Sequence, residues 1–203
     1  MENKNELITR IVDLEWPMFT SVNNEGGRAY CQDDRVTFDI MRRAQFEAWG
    51  KAVLLAYLEH ITNARREGRN LITEKYAHMM RTTAPKQYEL IADFIPMPSD
   101  EAREIAERIC GELVAQTAEY AVRYPRMALQ GRALYSKDDS EYNTSIETYQ
   151  RSELYTYSEE VLRLLESCIL EKKAQGINFA ESILLNTVKK YGFSSLEDAE
   201  AAV

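Results

Sequence analysis

A polar stretch that occurs twice constrains this chain more than any other feature. Asn23 to Trp49 reads N-N-E-G-G-R-A-Y-C-Q-D-D-R-V-T-F-D-I-M-R-R-A-Q-F-E-A-W, and Gly131 to Tyr157 reads G-R-A-L-Y-S-K-D-D-S-E-Y-N-T-S-I-E-T-Y-Q-R-S-E-L-Y-T-Y. Gly27-Arg28-Ala29 aligns with Gly131-Arg132-Ala133, and Asp33-Asp34 with Asp138-Asp139. Farther on, Asp39, Arg43, Gln45, Phe46 and Trp49 meet Glu147, Arg151, Glu153, Leu154 and Tyr157, while upstream Glu15-Trp16 meets Glu119-Tyr120. An order kept through small insertions reads as an internal duplication.

The rest of the chain says what kind of unit is doubled. Only eight glycines and five prolines punctuate long runs rich in Glu, Arg, Ala and Leu, and no segment shows bounded period-two alternation. The expectation is an all-α helical bundle of two pseudo-symmetric helix-loop-long-helix units. It forms one domain over 1–203, with copies at about 5–67 and 99–175 and C-terminal helices over 176–203. The first helix runs from about Asn5 to Val22 on a stripe of Leu7, Ile11, Leu14 and Met18, with Pro17 as a kink or early end. Asp33-Asp34 cap a long helix to Glu67 on a stripe of Phe38, Met41, Gln45, Ala48, Ala52 and Leu55. A pair follows over Ile72 to Thr82 and Pro85 to Phe94, then a Ser99-capped helix that Pro125 stops after Tyr124. Thr144 caps the second long helix, to Gln175, with Ile146, Gln150, Glu153, Tyr157, Val161, Leu164 and Cys168 on one stripe. Asn178 to Lys190 and a Ser194-capped helix to Ala202 close the chain.

A net charge of −8 counts against a nucleic-acid or acidic-membrane partner, because phosphate binding leans on surplus Lys and Arg. No apolar run approaches the length of a membrane span, and the N-terminus lacks the basic and apolar segments of a signal peptide. Cys31, Cys110 and Cys168 are too few and scattered for a disulfide framework or zinc knuckle, which points to reduced thiols in the cytoplasm. Oligomeric state is left open, and no nucleotide, flavin or redox fingerprint names a cofactor.

Chemistry concentrates on the repeated residues. Glycines at Gly26-Gly27 let backbone amides converge on an anion, and Arg28 can fork onto it; Arg132 would be its partner in a two-guanidinium clamp. The competing reading is a glycine helix cap whose Arg28 pairs with Asp33 or Asp34. Asp33 and Asp138 could hold Mg²⁺ or Mn²⁺ or position the arginines, and equally could cap helices. Glu153, a carboxylate on an apolar stripe with Gln45 as counterpart, must be paired, hydrogen-bonded or protonated, and so is a candidate proton-handling group. Arg151, Gln32 and Trp16 complete the candidate ligand-binding set. Cys31 lacks an adjacent base, since His60 and His78 are distant in sequence.

The signature E-W-x-x-F, N-x-x-G-G-R-A-x-C-Q-D-D-x-x-T-F-x-I-M-R-x-x-Q-F, then G-R-x-L-Y-S and E-T-Y-x-R-x-E-L-x-T-Y-S, resembles a bacterial family catalogued only as a domain of unknown function. Glu15-Trp16, Gly26 to Asp34, Thr37 to Phe46 and Glu147 to Ser158 carry the resemblance across nearly the whole chain. It implies no activity. The functional expectation is therefore built on residues: a small anionic molecule bound between the two G-R-A loops by Arg28 and Arg132, with Glu153 and Gln45 orienting it or exchanging a proton. The alternatives are a non-catalytic scaffold whose repeated polar groups fix packing, and a Mg- or Mn-dependent phosphate hydrolase.

Overall fold

The structure is a computed structural model that describes residues 3–24 and 27–203. It is all-α. The elements are α1 (Lys4–Thr20), α2 (Arg35–Ala48), α3 (Lys51–Arg66), α4 (Leu71–Thr83), α5 (Pro85–Ile91), α6 (Asp100–Arg123), α7 (Pro125–Gln130), α8 (Ile146–Leu154), α9 (Glu159–Ala174), α10 (Phe179–Lys190) and α11 (Leu196–Ala202), with short 3-10 turns between some of them. No helix among the described residues is long and apolar enough to cross a membrane.

Both expected long helices are broken. The first stops at Ala48, after which Trp49 and Gly50 are extended (ψ 151° and 156°) before α3 begins. The second stops at Leu154, and Ser158 caps a new helix by accepting from the Val161 N–H. Trp49 and Tyr157, at these junctions, are buried with Tyr57 of α3, and the three rings meet edge-on or tilted, with centroids 5.1–6.0 Å apart. A continuous helix could not turn all three rings into one core, so burial of large aromatic area overrides helical continuity. The break also re-phases the stripe: Met41 and Leu55, expected inward, are half-exposed.

Smaller departures have local causes. Pro17 stays inside α1, one turn from its end, where the ring displaces little of the hydrogen-bond ladder. Pro125 ends α6 and also opens α7, as its fixed φ suits a first helical position. The caps of α8 and α11 are Ser145 and Ser195, each one residue beyond the expected Thr144 and Ser194.

Three pairs of local signals recur at one constant separation. Gly50 and Ser158 precede α3 and α9, Gly68 (φ +75°) and Gly176 (φ +73°) end them, and Asn70 and Asn178 cap α4 and α10. The Asn70 amide donates to the Met18 carbonyl of α1 at 2.8 Å, and Asn178 to the Gln116 carbonyl of α6 at 2.9 Å. This matches Met18 with Gln116, hence Glu15 with Leu113. The sequence pairing of Glu15 with Glu119 does not hold in space, for Glu15 is fully buried and Glu119 is exposed. Packing follows the same correspondence: α1 lies on α2 and α3 as α6 lies on α8 and α9, and α10 crosses onto α2 as α4 crosses onto α8. The C-terminal α10 is thus an integral layer of the bundle.

Asn70→Ala removes a cap accepting from the Ile72 and Thr73 N–H groups as well as the tie to α1. It is expected to lower stability in urea unfolding by about 1–2 kcal/mol; an unchanged midpoint would contradict this role.

Candidate functional site

Glu153 is the centre of the site. It lies near the end of α8, 8% exposed, and its Oε1 accepts from Arg42 Nη1 (2.9 Å), Gln45 Nε2 (2.9 Å) and the Tyr157 hydroxyl (2.6 Å), while Oε2 accepts from Lys75 Nζ (2.6 Å). Arg42 continues the chain of contacts by forking onto Glu15 of α1 (2.7 and 2.6 Å), whose Oε1 also accepts from the Tyr57 hydroxyl at 2.8 Å. Two carboxylates and two cations, buried together, come to zero net charge. Lys75 also sits on the ring of Tyr149, 3.4 Å from its centroid.

Electrostatics follow from that pairing. Burial on its own would raise the Glu153 carboxyl, but the charges of Arg42 and Lys75 and the hydrogen bonds of Lys75 and Tyr157 reverse it, holding it well below the usual carboxylate range. Burial and then the neighbouring carboxylates push both hydroxyls far up, Tyr157 against Glu153 and Tyr57 against Glu15. Arg42 stays charged despite burial because Glu15 and Glu153 flank it.

The network is not packed solid. It borders a cavity of about 170 Å³, with Glu15, Arg42, Lys75 and Glu153 on one side and Phe19, Phe38, Tyr76 and Tyr149 among its walls. Cys31 and Asp34, from the first repeated loop, also line it. Neither histidine does: His60 bonds the Thr156 carbonyl through Nε2, and His78 lies in a different cavity.

The expected residues divide accordingly. Glu153 and Gln45 are in the network. Arg28 is instead paired with Asp33 (2.7 Å) and donates to the Thr20 and Gln32 carbonyls, the structural alternative for this loop. Gln32 is a buried clasp, accepting from the Ala29 N–H and the Asn24 amide and donating to the Phe19 and Val22 carbonyls. Trp16 packs on Phe19 and Phe38 under Arg35. Asp34, not Asp33, caps α2. Arg132 donates to the Thr144 carbonyl and lies over Tyr149, a wall residue, without itself lining the cavity. Asp138 is exposed, whereas Asp139 accepts from the Ser145 N–H and the Thr148 hydroxyl. Arg151 pairs with Glu107 and Glu147 elsewhere. Gly26 lies outside the described residues. The two-guanidinium clamp therefore does not form: Arg28 is spent on its own loop and Arg132 on Tyr149.

Arg42, Lys75 and Glu15 were missed, although a signal existed for one of them. Glu15 interrupts the apolar stripe of α1 four residues after Ile11, just as Glu153 interrupts its own. Nothing local distinguished Arg42 from Arg43 or marked Lys75 as buried. Among the described residues no three His, Cys, Asp or Glu side chains gather as a metal-binding group.

A family described as "Protein of unknown function (DUF4125)" matches residues 5–201. No curated protein and no solved structure matches the chain.

The depressed folded pKa of Glu153 means the native state binds fewer protons than the unfolded chain. Its stabilisation is complete above the unfolded value, about 4.3, and is lost as pH falls through the lower folded value. Glu153→Gln, which strands the buried Lys75 and leaves Arg42 with Glu15 as its one counter-charge, is expected to cost about 3–5 kcal/mol at neutral pH. Denaturant unfolding from pH 7 to 3 should show a shallower acid limb in the variant; identical limbs would exclude Glu153 as a source of acid lability.

Proposed function

The chain belongs to a family of proteins of unknown function, matched over residues 5–201, and within it we propose that this member binds a small anionic molecule in the cavity beside Glu153. The supporting observation is an imbalance of hydrogen-bonding capacity. Glu153 accepts from four donors and is saturated, whereas Lys75 uses one of its three N–H groups on Glu153 and Arg42 uses four of its five. Donors left over at a cavity call for a ligand oxygen. The aromatic walls suit an apolar body behind it, as ordinary small-molecule sites do. A small carboxylate with a flat apolar portion meets both demands. Glu153, saturated and strongly ionised, is a poor base, so its role is to orient Lys75 and Arg42 with Gln45 supporting it; the reading is one of binding rather than proton transfer.

A scaffold role for the same network has one observation in its favour: the charges balance internally. Against it stand the matching positions of the other half, Leu113 for Glu15, Gln150 for Arg42, Leu165 for Tyr57 and Ile183 for Lys75. Helices packed in the same relation there do without charge, so packing alone does not require it. We infer that the halves are duplicates extending through α4 and α10, past the bounds 5–67 and 99–175, and that one copy kept a polar site. A metal-dependent hydrolase lacks support, since Asp33 is paired with Arg28 and Asp139 is engaged by Ser145 and Thr148. Three unpaired thiols fit a cytoplasmic setting.

A thermal-shift screen of small carboxylates should give hits, worth about 2.7 kcal/mol at a hundredfold excess over the dissociation constant. These hits should vanish in Lys75→Gln. Should that variant fail to fold, Met41→Trp, at a half-exposed position lining the cavity, tests occlusion directly. Hits that survive Met41→Trp, or a library without hits, would leave the scaffold role standing.

A further inference from the structure

A second cavity, of about 360 Å³, lies where α4, α6 and α8 meet and shares no residue with the first. His78 lines it at 2% exposure, and neither of its ring nitrogens has a hydrogen-bond partner among the described residues. The ring stands edge-on to Tyr155 at 5.6 Å, and Arg81 lies over the same Tyr155 at 5.9 Å. Arg81 makes no ion pair among the described residues. Arg151, also lining this cavity, is matched by Glu107 and Glu147 through Nε and Nη2, while its Nη1 makes no hydrogen bond there. Glu107 also lines the cavity, but it is held by Arg151 and the Tyr155 hydroxyl; Arg81 has no direct counter-charge, and a buried imidazole is unsatisfied beside it, a combination that native interiors rarely leave unused.

The chemistry of the occupant follows from what each group lacks. Arg81 and Arg151 need acceptors. A neutral imidazole carries one N–H and one acceptor nitrogen, so His78, unpartnered at both, needs an acceptor and a donor. Burial and then the Arg81 charge hold the imidazole below its usual range, so it is neutral near pH 7. A carboxylate offers acceptors only. A protonated phosphoryl group offers both. We propose that this cavity binds a phosphoryl group, free or as a monoester, whose oxygens accept from Arg81 and Arg151 and whose P–OH donates to His78.

The test titrates the full-length protein with inorganic phosphate and, separately, with glycerol phosphate, by calorimetry and by the imidazole ¹⁵N resonances. Saturable binding is expected, with His78 signals shifting and those of His60 staying put. Arg81 is exposed, so Arg81→Ala should fold and weaken binding by about tenfold or more, the loss of one charge-assisted hydrogen bond. Lys137→Ala should leave it unchanged. Equal binding of both ligands identifies a monoester site, and binding of phosphate alone a free-ion site. The proposal is overturned by no saturable binding at millimolar concentrations, by full affinity in Arg81→Ala, or by phosphate-grown crystals holding only water at His78. Met41→Trp, which blocks the first cavity, should not alter the titration, so the two sites stand or fall separately.

Discussion

A carboxylate taken out of water has to be answered by donors, and Glu153 collects its four from three separate parts of the chain. Arg42 and Gln45 come from α2, Lys75 from α4, and Tyr157 from the turn after α8. Through Arg42 the same cluster reaches Glu15 on α1 and Tyr57 on α3. Desolvating four charges costs several kcal/mol per ion, and their mutual attraction recovers this only when each charge meets a counter-charge in good geometry. The cluster is therefore a demanding constraint: a shift in any of these helices would strand a buried charge. Such all-or-none matching selects one arrangement of the bundle more than it adds stability to it.

That arrangement depends on two interruptions in the helices. Trp49-Gly50 and the Tyr155 to Ser158 turn redirect the chain, and just before them Gln45 and Glu153 face each other across 2.9 Å. Trp49 and Tyr157 meet beside them, 6.0 Å apart. Arg42, Lys75 and the Tyr157 hydroxyl join Gln45 on the Glu153 carboxylate at that centre. Glu15, Arg42, Tyr57 and Lys75 border a cavity on one side; Leu113, Leu165 and Ile183 belong to the apolar core on the other.

The two cavities differ in kind. The first is walled by aromatics around a charge-neutral network with spare donors. The second is built on groups that the fold has not satisfied, His78 and Arg81. Arg151 lines the second cavity and takes no part in the Glu153 network.

Helical class, most helix ends and the need for Glu153 to be paired were legible in the residues because they depend on neighbours in sequence: periodicity, caps such as Ser99 and Asn178, glycine stops such as Gly68 and Gly176, and a charge on an apolar stripe. The Ser158-Glu159-Glu160 start of α9 was equally local and was obscured by an unbroken stripe across it. Tertiary structure alone decided which cations answer Glu153. Arg28 and Arg132 lay in the repeated motif, but loop carbonyls and Asp33 lay within reach of one and Tyr149 of the other, and short-range partners win over distant ones. Arg42 and Lys75 are 111 and 78 residues from Glu153, and only helix packing, driven by burial of the aromatic core, could bring them to it.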